Sequence, residues 1–146
     1  MSVIAWDGKT LASDKKSIRG DVLQKVTKIV QLPDGTVLAW CGQHEQGLRL
    51  RQWYADGAIA ENRPVFADKD EWTRMIVAKP DGSVCMYEQE PVAQYVEEPF
   101  QAWGSGAEYA LGAMAMGANA RQAVEIAGRF SATCGLGVDA FDVLTN

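Results

Sequence analysis

Short apolar runs alternate with turn residues along this chain, and the period of the pattern changes partway through. Three Asp-Gly pairs lie between such runs: Asp7-Gly8, Pro33-Asp34-Gly35 and Pro80-Asp81-Gly82. An Asp-Gly pair between apolar runs is a short-range hairpin signal. The flanking runs cover residues 3–6 with 10–13, 26–32 with 36–41, and 74–79 with 83–87. They contain Val, Ile, Thr, Trp and Tyr, which suit a pleated surface. The pattern predicts three hairpins of consecutive strands.

Between the second and third hairpins the period becomes helical. Over residues 43–55 Leu48, Trp53 and Tyr54 fall on one helical face, with Arg49 and Arg51 elsewhere. Asp56-Gly57 ends that helix. Residues 61–70, with Pro64 and several charges, read as a loop. Pro91 and Pro99 bracket an acidic connection holding Glu97 and Glu98. Residues 100–106 form a short strand running into a glycine turn. A small-residue helix over 107–116 follows, with Met114 and Met116 as core filling. Gly117 breaks it. Asn119 caps the next helix, 120–130, with Gln122 as its capping-box partner. Ala123, Val124, Ile126, Ala127 and Phe130 make the apolar face of that helix. Gly135-Leu136-Gly137 is a corner before a last edge strand over 138–144. This order lacks regular β-α-β alternation. It predicts an α+β layered fold of antiparallel hairpins with helices on their faces. A length of 146 residues makes 1–146 one domain.

Composition narrows the function. Hydrophobic residues make up 47% and charged residues 23%, an ordinary globular balance. The net charge is −5 and no long basic run occurs, so nucleic acid is not an expected partner. The apolar stretch 110–118 is too short for a bilayer and no signal-peptide pattern precedes Val3, so a cytoplasmic protein is expected. Cys41, Cys85 and Cys134 fit no metal spacing and read as reduced, buried thiols. His44 is the one histidine, which excludes a multi-histidine metal site within one chain. No Gly-x-Ser-x-Gly elbow accompanies it, and His44 reads as a helix-start or surface residue. No metal and no cofactor are expected.

The remaining chemistry lies at the start of the chain. Loss of Met1 leaves Ser2 with a hydroxyl and a free α-amine, a nucleophile and a base on one residue. An ordinary α-amine titrates at about 7.7–8.0, so a useful fraction is unprotonated near neutral pH. Serine is small enough for methionine removal to be expected. Retention of Met1 leaves no such amine.

Several stretches resemble one family, the proteasome β-subunits and HslV peptidases, and within it the small HslV-like proteins of phages and bacteria. They are Ser2-Val3-Ile4-Ala5, Leu11-Ala12-Ser13-Asp14, Lys28-Ile29-Val30-Gln31-Leu32, Cys41-Gly42, Trp103-Gly104-Ser105-Gly106-Ala107-Glu108-Tyr109-Ala110 and the helix pattern 120–127. Each is short, and their order along nearly the whole chain makes the combination specific. The resemblance implies an N-terminal-nucleophile hydrolase fold, a four-layer αββα sandwich of two antiparallel sheets between helices. It implies that Ser2 is the nucleophile and that Asp14, Lys28 and Ser105 complete the catalytic set. The oxyanion amide then lies at or near Gly42. Lys28 as a cation favours the attacking alkoxide, and Asp14 orients it.

This chain departs from the pattern in places. Serine replaces threonine and lacks the methyl that restricts the rotamer. Lys25 competes with Lys28 for the lysine's role. The acidic residue expected after the last long helix is missing from Arg129-Phe130-Ser131, with Asp139 a candidate replacement. The function implied is a threonine-type peptidase within a homo-oligomer, acting on peptides or unfolded proteins. HslV works with an ATP-driven unfoldase, and no residue here identifies one. Two other readings stay open. One is an inactive family member serving as a structural or assembly protein, for example phage-encoded and in the host cytoplasm. The other is an amidase for small molecules.

Overall fold

The computed structural model describes residues 2–67 and 72–143. A four-stranded antiparallel sheet contains β1 (Ile4–Trp6), β2 (Thr10–Asp14), β10 (Gln101–Trp103) and β11 (Val138–Asp142), in the order β10-β1-β2-β11. A five-stranded antiparallel sheet runs β5 (Ile29–Gln31), β6 (Val37–Cys41), β7 (Arg74–Ala78), β8 (Val84–Tyr87) and β9 (Gln94–Tyr95) in chain order. A separate hairpin pairs β3 (Lys16–Arg19) with β4 (Val22–Lys25). The helices are α1 (His44–Ala55), α2 (Ala107–Ala115) and α3 (Ala120–Phe130).

All three expected hairpins form, each around its Asp-Gly turn. Three strands, β3, β4 and β9, were not expected, nor was a 3-10 turn over Ala60–Asn62. The β3–β4 hairpin turns at Gly20, where glycine precedes aspartate rather than following it, so it lacks the Asp-Gly signal. The two-residue strand β9 lies in the proline-bracketed connection, where pairing with β8 defines it. The last strand ends at Asp142, and Leu144 lies outside the described residues, as do 68–70 of the expected loop.

Strand alternation sends the two faces of each sheet to different cores. Ile4, Trp6 and Leu11 of the first sheet meet Val37, Ala39, Cys41, Ile76 and Ala78 of the second in one apolar cluster. Val3, Ala5 and Ala12 point the other way, into a cluster with Ala110 and Met114 of α2 and Ala120, Ala123, Val124 and Ala127 of α3. Leu38, Met75, Val77 and Cys85 pack with Leu50 and Trp53 of α1. Alanines dominate the α3 face because the helix lies close to the sheet.

Three helix positions differ from the pattern reading. Leu48 is 40% exposed, and Gly47, Leu50 and Trp53 face inward instead. The inward face of α1 is set by a glycine, which a hydrophobicity pattern does not register. Its Cβ would lie 2.0 Å from Trp40 Cδ1, so α1 seats on the indole only with glycine there. Met116 caps α2 and is 89% exposed, whereas Met114 is in the core. Phe130, in the last turn of α3, is exposed and stacks on Tyr109 of α2. All three cysteines are buried and free. Among the described residues no helix is long and apolar enough to cross a membrane.

Candidate active site

The β1–β2 pairing sets the first contact. Its register places Ile4 opposite Ser13, which leaves Val3 beside Asp14 at the strand end. The Asp14 N–H donates to the Val3 carbonyl at 3.2 Å, and Asp14 Oδ1 accepts from the Val3 N–H at 3.2 Å. Lys28 immediately precedes β5, and its carbonyl accepts from the Trp40 N–H at 3.0 Å. That anchor directs the side chain to β2. Lys28 Nζ donates to Asp14 Oδ1 at 2.9 Å and to Ser2 Oγ at 3.0 Å. Ser2, Asp14 and Lys28 are respectively 2%, 0% and 4% exposed, so this is no solvated surface pair. Lys25 sits on exposed β4 in register with Lys16; the ammonium beside Ser2 belongs to Lys28.

Asp14 has further donors. Its Oδ2 accepts from the Gly135 N–H at 3.0 Å and the Lys16 N–H at 3.3 Å. The carboxylate thus receives four N–H donors from four places in the chain, one of them cationic.

The other side of Ser2 is held by the turn between β10 and α2. The Gly106 N–H donates to the Ser2 carbonyl at 3.1 Å, and the Ser2 N–H donates to Ser105 Oγ at 3.2 Å. Gly104 has φ +96°, and a Cβ there would lie 2.2 Å from the Ser2 carbonyl oxygen. Only glycine allows that turn to lie against Ser2. Ser105 Oγ is also 2.7 Å from Thr133 Oγ1, which is 3.1 Å from Ser131 Oγ. Sequence reading missed Thr133. Its contact with Ser105 spans 28 residues, and no spacing rule announces it. Asp139 is elsewhere, bonded to Lys15 Nζ at 2.8 Å.

Gly42 follows β6 at φ +109°, and a Cβ there would lie 2.8 Å from Trp72 O and Thr73 Cα. It lines, with Ser2 and Lys28, a cavity of about 560 Å³. Trp40, His44 and Arg19 contribute to the same wall. His44 does begin α1, as expected, and its Nδ1 accepts from Trp40 Nε1 at 3.2 Å. Burial first, then the Lys28 and Arg19 cations, holds the His44 pKa below its ordinary value. Among the described residues no group of three or more His, Cys, Asp or Glu is placed to hold a metal ion.

The chemistry available is that of a buried hydroxyl with a paired ammonium on one side and its own main-chain nitrogen on the other. The cavity opens beside it.

No protein-family model matches this sequence, and no curated protein matches it. Solved structures do match. BPH of Thiobacillus denitrificans in complex with epoxomicin superposes with a TM-score of 0.75 at 23% identity, covering 100% of both chains. Another structure of that protein gives 0.72 at 23% identity over 99% of each chain. HslV from Trypanosoma brucei gives 0.71 at 16% identity, again over 99% of each. At this identity the likeness concerns the fold. The chain has the proteasome and HslV fold along its whole length, so the resemblance read from its short stretches holds at that level.

Proposed function

We propose that this chain is an N-terminal-nucleophile peptidase in which Ser2, freed by removal of Met1, attacks the peptide carbonyl. Met1 itself lies outside the described residues. The observation that carries the reading is the buried string Asp14–Lys28–Ser2, with contacts of 2.9 and 3.0 Å. A buried lysine–aspartate pair is costly to desolvate. Aimed at a serine hydroxyl at the edge of a cavity, it has a chemical use that a packing role does not supply.

The steps follow from the residues. The Ser2 amine takes the Oγ proton, directly or through one water. Oγ bonds to the substrate carbonyl carbon, and the Lys28 ammonium stabilises the developing charge on Oγ. The Gly42 N–H is the donor to the oxyanion. Collapse breaks the C–N bond, the ammonium of Ser2 protonates the leaving amine, and an ester remains on Ser2 Oγ. Water, deprotonated by the same amine, hydrolyses that ester and restores Ser2. Ser105 orients the amine throughout.

The three core clusters support an αββα order of layers within one domain spanning 1–146. We further propose a homo-oligomeric, cytoplasmic enzyme acting on peptides or unfolded chains. Epoxomicin, bound to the structurally similar BPH, is then expected to bind at Ser2.

The test begins with the intact mass of the protein from its native source. Loss of one methionine is expected, together with hydrolysis of fluorogenic peptides by that form. Ser2→Ala is expected to lower kcat/KM by at least about a thousandfold. Retention of Met1 together with no hydrolysis would overturn the reading in favour of an assembly protein. Cleavage of small amides but no peptide would replace the substrate class.

A further inference from the structure

We propose that Thr133 is a positioning residue for the Ser2 amine, the middle member of an uncharged hydroxyl relay running Ser2 N–Ser105 Oγ–Thr133 Oγ1–Ser131 Oγ. This rests on the N-terminal-nucleophile reading above. The contacts are 3.2, 2.7 and 3.1 Å in that order. The Ser2 N–H donates at the head of the chain, so Ser105 Oγ accepts there. The proton of Ser105 then has three outlets, Thr133 Oγ1 at 2.7 Å, the Ser2 carbonyl at 3.4 Å and the Cys134 sulfur at 3.8 Å. The shortest contact sets the direction. Having accepted from Ser105, Thr133 Oγ1 has its own proton to give to Ser131 Oγ at 3.1 Å, and Ser131 Oγ accepts from the Thr133 N–H at 3.4 Å as well. Each hydroxyl therefore accepts from its predecessor and donates to its successor, and such chains polarise their members.

The relay fixes where the amine protons point. With one N–H directed to Ser105, the lone pair is free for the Ser2 hydroxyl proton. The relay ends on a hydroxyl rather than a carboxylate, so no anion at its end favours the ammonium. The cations around Ser2 act in the same sense, and the Glu45 carboxylate in the cavity wall acts against them. Lys28 Nζ lies 3.0 Å from Ser2 Oγ. Lys16 Nζ donates to the Ala132 carbonyl, beside Thr133, at 2.6 Å. Arg19 lines the cavity with His44 and Glu45. The Asp14 carboxylate is already taken up by its four donors, and the Cys134 thiol lies 3.8 Å from Ser105 Oγ. Thr133 thus keeps the amine oriented while leaving it readily deprotonated.

The experiment uses the chain beginning at Ser2, as wild type and as Thr133→Val, Thr133→Ser, Thr133→Asp and Ser131→Ala. Two quantities are read in each. One is the pH midpoint for acetylation of the Ser2 α-amine, followed by mass spectrometry. The other is the pH profile of kcat/KM on a fluorogenic peptide. Thr133→Ser is expected to match wild type. Thr133→Val and Ser131→Ala lower the midpoint, because the ammonium loses its polarised acceptor, and Thr133→Val lowers kcat about tenfold. Thr133→Asp raises the midpoint by about one unit and moves the acid limb of kcat/KM to higher pH with it. Midpoints that stay at the wild-type value in Thr133→Asp and Ser131→Ala would overturn the relay. The amine titrates whether or not peptide is cleaved. Absent hydrolysis with shifted midpoints therefore counts against the peptidase reading and not against Thr133.

Discussion

At the scale of single residues, Asp14 connects the parts of the site. Its two oxygens accept from Val3, Lys16, Gly135 and Lys28, and its exposure is 0%. A carboxylate suits this place because every neighbour donates. Asp14→Asn turns an NH₂ toward donors on one side. It is expected to cost about 3 kcal/mol in urea unfolding as well as hydrolysis, since it leaves buried groups unmatched. An Asp14→Asn protein of wild-type stability would show that the donors rearrange freely. His44 provides a pH test. Its pKa is lowered in the folded chain, so the folded chain binds fewer protons there than the unfolded chain does. The stability from this group is present above the ordinary value of about 6.5 and is lost as pH falls through it toward the folded value. Protonation at Nδ1 also removes the acceptor for Trp40 Nε1. The thermal midpoint is expected to drop more between about pH 7 and 5 in wild type than in His44→Gln. Equal slopes would remove His44 from the pH dependence. Ser2, Asp14, Lys28 and Ser105 were legible from the resemblance of their stretches, but Lys28 was distinguished from Lys25 only by where the backbone before β5 is anchored.

At the scale of elements, local chemistry was read well where it acts within a few residues. The cap of α3 is an example: Asn119 Oδ1 accepts from the Gln122 N–H at 2.9 Å, and Gln122 Oε1 accepts from the Asn119 N–H at 2.9 Å. Both partners were visible in the chain because they are three residues apart. Asn119→Ala is expected to cost about 1 kcal/mol, read from the denaturation midpoint. A neutral result would mean that packing against the sheet alone sets the start of α3. The facing of α1 was not legible. Leu48 fits a hydrophobic pattern, yet the helix turns Gly47 inward because Trp40 occupies the space a side chain would need. The β3–β4 hairpin escaped for a different reason. Its β4 strand is exposed throughout, so no alternation of apolar and polar positions marks it.

At the scale of the whole molecule, burial controls the reactivity of side chains that the proposed chemistry does not use. Cys41 lies in the core between the sheets and Cys85 against α1, and burial raises both thiol pKa values. Neither is expected to react with a thiol reagent such as DTNB in the native protein, and both should react on unfolding. Rapid native labelling of Cys41 would mean that the two sheets separate readily. The order of predicted strands and helices indicated a layered α+β fold. It did not say which face of each strand meets the other sheet.

By itself the sequence determined the three Asp-Gly hairpins, the capping box of α3, the glycine turn before α2 and the identity of the candidate catalytic side chains. These depend on backbone preferences and hydrogen bonds acting over two to four residues, or on short stretches that resemble a known family. The tertiary structure decided what those residues can do together. Ser2 meets Lys28 across 26 positions and Ser105 across 103, and Thr133 joins them from beyond α3. Such contacts depend on strand register and on glycines that let backbones approach. No local property of the chain encodes the distance between two groups brought together that way.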